Sequence, residues 1–263
     1  MRRAIGQSLR IDVAADAVAL RRISRWRKDD KNSAVTELAA QAIAPSGDHP
    51  FDAIANALRA LLGELEVDGW PVGFTLADEL TRMWRVTPPP GAARMADMEA
   101  AAGLRFQSLY GEPPSAWRIS ADWNPVRPFF AAAVPNTLLA ALQLVAQEFK
   151  LSIVGIEPRF VGALNRNRRG IKQGAWFGVV HDKLLTLAAI EAEGNAVRAI
   201  RPLPIPHGAD QYWLTQTLQR EALLLDMPAP ELLQVCGAAP ADWSKPAEGA
   251  AHIPCAALGG GVV

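Results

Sequence analysis

The sequence IGQSLRIDVAADAVALRRI, residues 5–23, decides the fold of the N-terminal part of the chain. Leu9, Ile11 and Val13 alternate with less apolar residues, which is typical of a strand that buries one face. Residues 14–16 form a short turn signal, and the residues after them again favour a strand. We predict a β-hairpin with a tight turn at residues 14–16.

The composition is typical of a protein that buries a large core. The chain has 263 residues, is 50% hydrophobic, and carries 27 Lys and Arg against 27 Asp and Glu. Nucleic-acid-binding domains usually carry a basic excess, so we expect no nucleic-acid partner. No apolar run approaches the roughly 20 residues of a membrane span, and no signal peptide follows the first residues. We therefore expect a cytoplasmic protein with no membrane span of its own.

The cysteines and histidines favour neither a disulfide nor a metal site. The two cysteines, Cys236 and Cys255, are not in a CxxC arrangement, and the four histidines are scattered. Zinc ligands usually come in close pairs, so we expect no metal. Cys236 ends an apolar strand, which favours a core residue over a nucleophile.

The order of predicted elements repeats. Three strands, a helix and a strand open the chain, and the same order returns after residue 174, without a repeat at the level of residues. We predict a two-lobed α/β protein: a first lobe over 1–174 with an inserted subdomain at about 82–134, a second lobe over 175–237, and a flexible tail over 238–263. The strand–helix–strand pattern of residues 129–156 predicts a right-handed parallel crossover.

Four short stretches point to a known superfamily. They are LRIDVAADAVALRR (9–22), FAAAVP (130–135), VGIEP (154–158) and WFGVVHDKLLTL (176–187). Together with the element order, they resemble the actin-like ATPases, which include actin, Hsp70 and sugar kinases. Within that superfamily the chain looks like the pilus and secretion branch: PilM of type IV pili, its MSHA-pilus counterpart, and the cytoplasmic domain of GspL. The resemblance spans roughly residues 5–237 and implies a degenerate, two-lobed actin-like fold, a duplicated ribonuclease H-like α/β fold.

The resemblance also implies a nucleotide site that has lost its means of binding. In ATP-binding members, each lobe offers an Asp-x-Gly hairpin whose glycine lets backbone N–H groups approach the phosphates. Here Asp12 stands in the acid position, but Ala14 replaces the glycine. The second turn carries Asp182 and no glycine, and Gly237 alone remains of a glycine pair. We expect a vestigial, inactive site with no catalytic residue, no cofactor and at most weak binding of Mg-ATP.

By resemblance, the function would be that of a non-catalytic scaffold, a pseudo-ATPase, in a type IV pilus or type II secretion-like machine. The implied partners are the cytoplasmic segment of a bitopic inner-membrane assembly protein and, secondly, a hexameric assembly ATPase. The protein would then lie at the inner membrane through its partners. The alternative is an active ATP-dependent small-molecule kinase or ATPase of the same superfamily, which requires Asp12 and Asp182 to bind Mg-ATP.

Two further features are candidates for partner binding. Trp123, followed by Asn-Pro, is the tryptophan most expected to be exposed and to anchor a peptide, with core packing as the alternative. Arg166, Arg168 and Arg169 would dock an acidic partner or anionic lipid headgroups. The alternative is a solvated loop without a binding role. A catalytic role for Asp12 with Asp16, or for His181 with Asp182, is less favoured than ordinary strand-end and turn roles.

Overall fold

The structure is a computed structural model that describes residues 6–24, 35–43, 50–92, 94–193, 196–245 and 252–258. The strands in these ranges are β1 (Gln7–Val13), β2 (Ala17–Ser24), β3 (Val35–Ala42), β4 (Pro71–Leu76), β5 (Arg82–Val86), β6 (Trp117–Ala121), β7 (Phe129–Pro135), β8 (Ser152–Pro158), β9 (Ala175–His181), β10 (Leu184–Ile190), β11 (Val197–Pro204), β12 (Leu232–Gly237) and β13 (Cys255–Ala257). The α-helices are α1 (Pro50–Gly63), α2 (Met95–Tyr110), α3 (Asn136–Glu148), α4 (Arg159–Asn167) and α5 (Gln211–Leu224).

The chain divides into two compact units, Met1–Arg159 and Phe160–Val263. The first unit therefore ends earlier than the boundary at residue 174 that the sequence suggested. The reason lies in α4, whose Phe160 is fully buried and packs against Phe177 of β9, with ring centroids 5.9 Å apart. Most of α4 thus belongs with the sheet that follows it.

A five-stranded sheet in the order β3-β2-β1-β4-β8 forms the centre of the first unit. The predicted hairpin is confirmed: β1 pairs antiparallel with β2, and Val13 lies opposite Val18 next to the turn. β4 then runs parallel to β1, and β8 runs parallel to β4. The apolar faces of α1 and α3 share one core with this sheet, where Leu58 and Leu142 are fully buried. This arrangement brings the carboxyl ends of β1, β4 and β8 to one edge.

A smaller sheet in the order β5-β7-β6 belongs to the same unit, and α2 covers one of its faces. Trp84, Phe106 and Phe129 form the core between them. The predicted parallel crossover of residues 129–156 is wrong, because β7 lies in this antiparallel sheet whereas β8 lies in the five-stranded one. The pattern of strand, helix and strand was correct, but hydrophobic periodicity does not show which strands pair with each other.

The second unit has a five-stranded sheet in the order β11-β10-β9-β12-β13. The sequence suggested a flexible tail after residue 237, but the described part of that tail is structured. Cys255–Ala257 forms β13 beside β12, and Ile253 is 7% exposed. The side-chain amide of Gln211 donates to the Ile253 carbonyl at 2.5 Å, and the Ile253 N–H donates to the Thr215 hydroxyl at 3.2 Å. These contacts with α5 hold a segment whose composition alone gives no strand signal.

None of the helices in the described ranges is both long enough and apolar enough to cross a lipid bilayer.

Candidate functional site

A group of charged side chains gathers where three parallel strands of the first unit end. Asp12 lies near the end of β1, Asp78 follows β4, and Arg159 follows β8, and the three strands run parallel as neighbours in one sheet. Their relative exposures are 5%, 9% and 3%. Ligand sites of α/β sheets lie at the carboxyl ends of the strands, so this edge is the candidate site of the first unit.

Asp12 is engaged by two arginines of its own hairpin. Nη1 of Arg21 lies 2.8 Å from one carboxylate oxygen, and Nε of Arg10 lies 3.0 Å from the other. Arg10 and Arg21 are opposite each other in the β1–β2 register, so they flank the carboxylate from two strands. Arg10 donates to both oxygens, from Nε at 3.0 Å and from Nη2 at 3.5 Å, so the carboxylate is held in one orientation and Arg21 adds a second positive charge beside it.

Arg159 adds a third cation to this buried group. Burial lowers the pKa of the Arg159 guanidinium, whereas the negative charges of Asp12 and Asp78 raise it. Arginine remains charged in proteins, so the cation depends on these carboxylates for compensation. Three guanidiniums and two carboxylates give the group a formal charge of +1, and an exposed carboxylate from Glu79 lies beside it at the hairpin turn.

The backbone of the turn uses its N–H groups within the protein. The N–H of Ala14 donates to the carbonyl of Ala17 at 2.8 Å. The N–H of Ala15 makes a longer contact of 3.4 Å with Oε1 of Glu79, which lies in the short helix Asp78–Leu80 after β4. Ala14 is itself buried, with its methyl group at the position that the resemblance assigns to a glycine. A protein carboxylate therefore lies against an N–H group of this turn.

The charges at this edge bear on whether it could hold a nucleotide triphosphate with its metal ion. A metal ion would compete with Arg10 and Arg21 for Asp12, and a phosphate would meet the carboxylate of Glu79. Within the described ranges, no three His, Cys, Asp or Glu side chains come together as metal ligands. The site is chemically suited to holding its own ion pairs together.

Most residues of this charged group were not predicted from the sequence. The prediction included Asp12 and Ala14, but it gave no role at this site to Arg10, Arg21, Glu79 or Arg159. Arg10 and Asp12 are two residues apart on one strand, so their side chains share a face, and that signal was available from period two. Arg159 and Glu79 are distant from the hairpin in sequence, and the parallel pairing of β4 with β1 and of β8 with β4 brings them to it.

In the second unit, Asp182 occupies the turn between β9 and β10. Its φ of 51° is left-handed, a conformation that Asp tolerates better than most residues. Its carboxylate lies 2.9 Å from Nδ1 of the adjacent His181, and 73% of the Asp182 side chain is exposed. The structural role favoured for this pair stays a prediction.

Gly237 has a structural requirement of its own. It ends β12 opposite Val180 of β9 and has a φ of 93°. A Cβ at this position would lie 2.0 Å from the Val180 carbonyl oxygen, a contact that backbone atoms cannot relieve cheaply. The glycine is therefore needed for close approach of two strands, independently of any ligand.

The two thiols are buried to different extents and are not disposed for nucleophilic chemistry. Burial raises the pKa of Cys255 to about 11 and also raises the pKa of Cys236. The thiol of Cys236 donates to the carbonyl of Leu258 at 2.9 Å. Both cysteines are free, and Cys236 is a core residue as expected.

Trp123 is half-buried, not exposed as the sequence suggested. Its ring packs on Phe129 at 5.8 Å between centroids, and it belongs to the edge of the small core beneath α2. It has a φ of 47° and lies in the loop that connects β6 and β7, where the Asn124 side chain accepts hydrogen bonds from the N–H groups of Val126 and Arg127. A role as peptide anchor stays a prediction.

Arg166, Arg168 and Arg169 are exposed at the end of α4 and in the short helix that follows it. Arg166 lies in the last turn of α4, where a cation interacts favourably with the helix dipole. The other two lie beyond that turn. Their proposed contact with a partner also stays a prediction.

No protein-family model matches the chain, and no curated protein matches it in sequence. Solved structures do match. The cytoplasmic domain of EpsL, an inner-membrane component of the type II secretion system of Vibrio cholerae, has a TM-score of 0.56 and 11% identity, covering 87% of this chain and 81% of that one. The PilM–PilN type IV pilus biogenesis complex gives a TM-score of 0.56 and 14% identity, over 89% and 81%.

A third match is a Bacteroides thetaiotaomicron protein described as having an actin-like ATPase fold and unknown function. Its TM-score is 0.59 at 10% identity, with coverage of 89% of this chain and 83% of that one. At such low identity, these similarities establish the fold and nothing further. The chain has the actin-like fold that the sequence predicted, and its structural neighbours include the secretion and pilus proteins that the sequence resembled.

Proposed function

We propose that this protein is a non-catalytic scaffold of a type IV pilus or type II secretion-like assembly machine, working at the cytoplasmic face of the inner membrane. The observation that carries the proposal is the pairing of Asp12 with two arginines. Its two oxygens contact Arg21 at 2.8 Å and Arg10 at 3.0 Å, so it is committed to protein cations. The likeness to EpsL and to PilM bound to PilN supports the choice of machine.

The alternative is an ATP-dependent kinase or ATPase. It requires Asp12 to break its contacts with Arg10 and Arg21, and the turn to break its contact with Glu79. Breaking a buried ion pair costs about 3–5 kcal/mol, which a nucleotide would have to supply from its own binding energy. This cost makes the scaffold the better-supported function.

The proposed partner is an extended cytoplasmic segment of a bitopic membrane protein, added as a strand to the small sheet. Edge strands usually carry bulges or prolines that oppose pairing. In β8 the register skips Val154, in β3 it skips Leu38, and in β11 it skips Arg198. β13 has only three residues. By contrast, β5 and β6 pair with β7 without interruption.

Of these two regular edges, β6 is the better candidate. Its Arg118 and Ser120 are exposed, and Trp117, Ile119 and Ala121 are only partly buried against the core of α2. On β5, Trp84 and Val86 are fully covered, and the Tyr110 hydroxyl donates to the Met83 carbonyl at 3.0 Å. A strand added to β6 would place apolar side chains beside Ile119 and acidic ones beside Arg118.

Affinity capture from detergent-solubilised membranes of the source organism tests this function. We expect the tagged chain to retain a bitopic inner-membrane protein, and Arg118→Glu to lose it while Arg85→Glu on β5 retains it. Hydrogen exchange should then show slowed exchange in β6 when a synthetic peptide of the partner's cytoplasmic segment is added. Capture of no bitopic protein, or protection confined to other strands, would contradict the proposal.

A further inference from the structure

A dense group of exposed cations follows α4 in the second unit. We call residues 166–172 the basic segment, because it carries Arg166, Arg168, Arg169 and Lys172, all of them exposed. The unit Phe160–Val263 has nine Lys or Arg and nine Asp or Glu, so four of its nine cations lie in this segment. No acidic residue occurs from Pro158 to His181. A unit that is neutral overall therefore concentrates much of its positive charge in one segment.

The rest of the described surface pairs many of its cations with the chain's own carboxylates. Arg59 pairs with Glu148 at 2.7 Å and Lys245 pairs with Asp242 at 2.5 Å. Within the described ranges, Arg168, Arg169 and Lys172 take part in no ion pair. Their charge is not used to compensate a carboxylate of the chain, unlike that of the paired cations.

The backbone of the basic segment is fixed to the sheet beneath it. Gln234 of β12 is 3% exposed, accepts a hydrogen bond from the Lys172 N–H at 2.7 Å, and donates to the Gly170 carbonyl at 3.2 Å. The buried side chain of Gln234 thus holds the backbone of the segment at Gly170 and at Lys172. The cations are presented outward from an anchored backbone.

We propose that the basic segment binds the anionic surface of a lipid bilayer. The cations lie in the last turn of α4, in the short helix Arg168–Gly170 and just after it, so they are spread along the segment and do not line one pocket. Laterally mobile lipid headgroups can meet such cations, whereas an acidic peptide would need a complementary groove. Clusters of four or more Lys and Arg bind anionic membranes with about 1 kcal/mol per residue. This binding is independent of the partner segment in the proposed function.

Vesicle co-sedimentation tests the proposal directly. The full chain is mixed with phosphatidylcholine vesicles containing 0, 25 or 50% phosphatidylglycerol at low salt. We expect binding to increase with phosphatidylglycerol and to be lost at high salt, because the Debye length falls to about 3 Å at 1 M. Arg168→Ser with Arg169→Ser should weaken partitioning by about 25-fold, since 1 kcal/mol corresponds to about fivefold for each residue.

The matched control replaces two exposed cations that are already paired, Arg198→Ser with Lys245→Ser, and so removes the same charge. It should change partitioning by less than about threefold. Unfolding curves of both double variants establish that each is folded. Absence of binding at 50% phosphatidylglycerol, or equal loss in the two double variants, overturns the proposal; binding of an acidic peptide in place of vesicles would identify a protein partner instead.

Discussion

The guanidinium of Arg21 lies 2.8 Å from the carboxylate of Asp12, and their side chains are only 17% and 6% exposed. The two residues belong to neighbouring strands of the hairpin whose turn lies where the superfamily resemblance implies phosphate binding. The ion pair thus gives Asp12 a role in stability, and this role leads to predictions that differ from those for a ligand-binding carboxylate.

Replacing Asp12 should strongly destabilise the protein. In Asp12→Ala, the buried Arg10 and Arg159 and the largely covered Arg21 lose a shared counterion, so the free energy of unfolding should fall by about 3–5 kcal/mol. Urea unfolding measures this change. Asp16→Ala, at an exposed position of the same turn, should change it by less than about 1 kcal/mol.

A double-mutant cycle separates the ion pair from other effects of the substitution. Asp12→Ala combined with Arg21→Ala should cost less than the sum of the single losses, because no uncompensated charge from this pair remains. An Asp12→Ala protein as stable as the wild type would contradict the structural role.

Gly237→Ala should be destabilising whether or not nucleotide is present. The new methyl group would lie 2.0 Å from the Val180 carbonyl oxygen, and φ at this position is 93°. A loss of about 3–5 kcal/mol in thermal or urea unfolding is expected. Gly73→Ala in β4 is the control, since an added Cβ there would meet no atom within 4 Å. Equal effects at the two positions would rule out this explanation.

The thiol of Cys255 predicts a specific dependence of stability on alkaline pH. Burial raises its folded-state pKa to about 11 from an ordinary value of 9.0, so folding favours the neutral thiol. This contribution is complete below pH 9 and is lost as the pH rises towards 11. The free energy of unfolding should therefore fall more steeply over that range in the wild type than in Cys255→Ala. Parallel curves for the two proteins would show that burial does not control this thiol.

Much of the fold was predictable because its strands alternate clearly. The period of Leu9, Ile11 and Val13 gave the first strand, and the turn residues gave the hairpin. Burial confirms this face, with all three side chains at most 1% exposed. Local patterns specify an element well when apolar and polar residues alternate along it, even where, as in β1, the polar face is also covered.

Long-range pairing was not predictable in the same way. Nothing in the sequence around β7 shows that it pairs with β5 and β6 in preference to β8. The C-terminal strand is short, and its order depends on distant polar contacts from Gln211 and Thr215. Arg159 comes near the hairpin only because of the order of strands in the sheet. The sequence alone could therefore suggest that Ala14 replaces a glycine, but not that cations surround Asp12.

The most direct test is a calorimetric titration of the full chain with Mg-ATP. We predict no saturable heat up to about 1 mM nucleotide, because Asp12 is held by arginines and Glu79 contacts the turn. A dissociation constant of about 100 μM or tighter, weakened by Asp12→Asn, would contradict the proposal of a non-catalytic scaffold and favour the ATP-dependent enzyme.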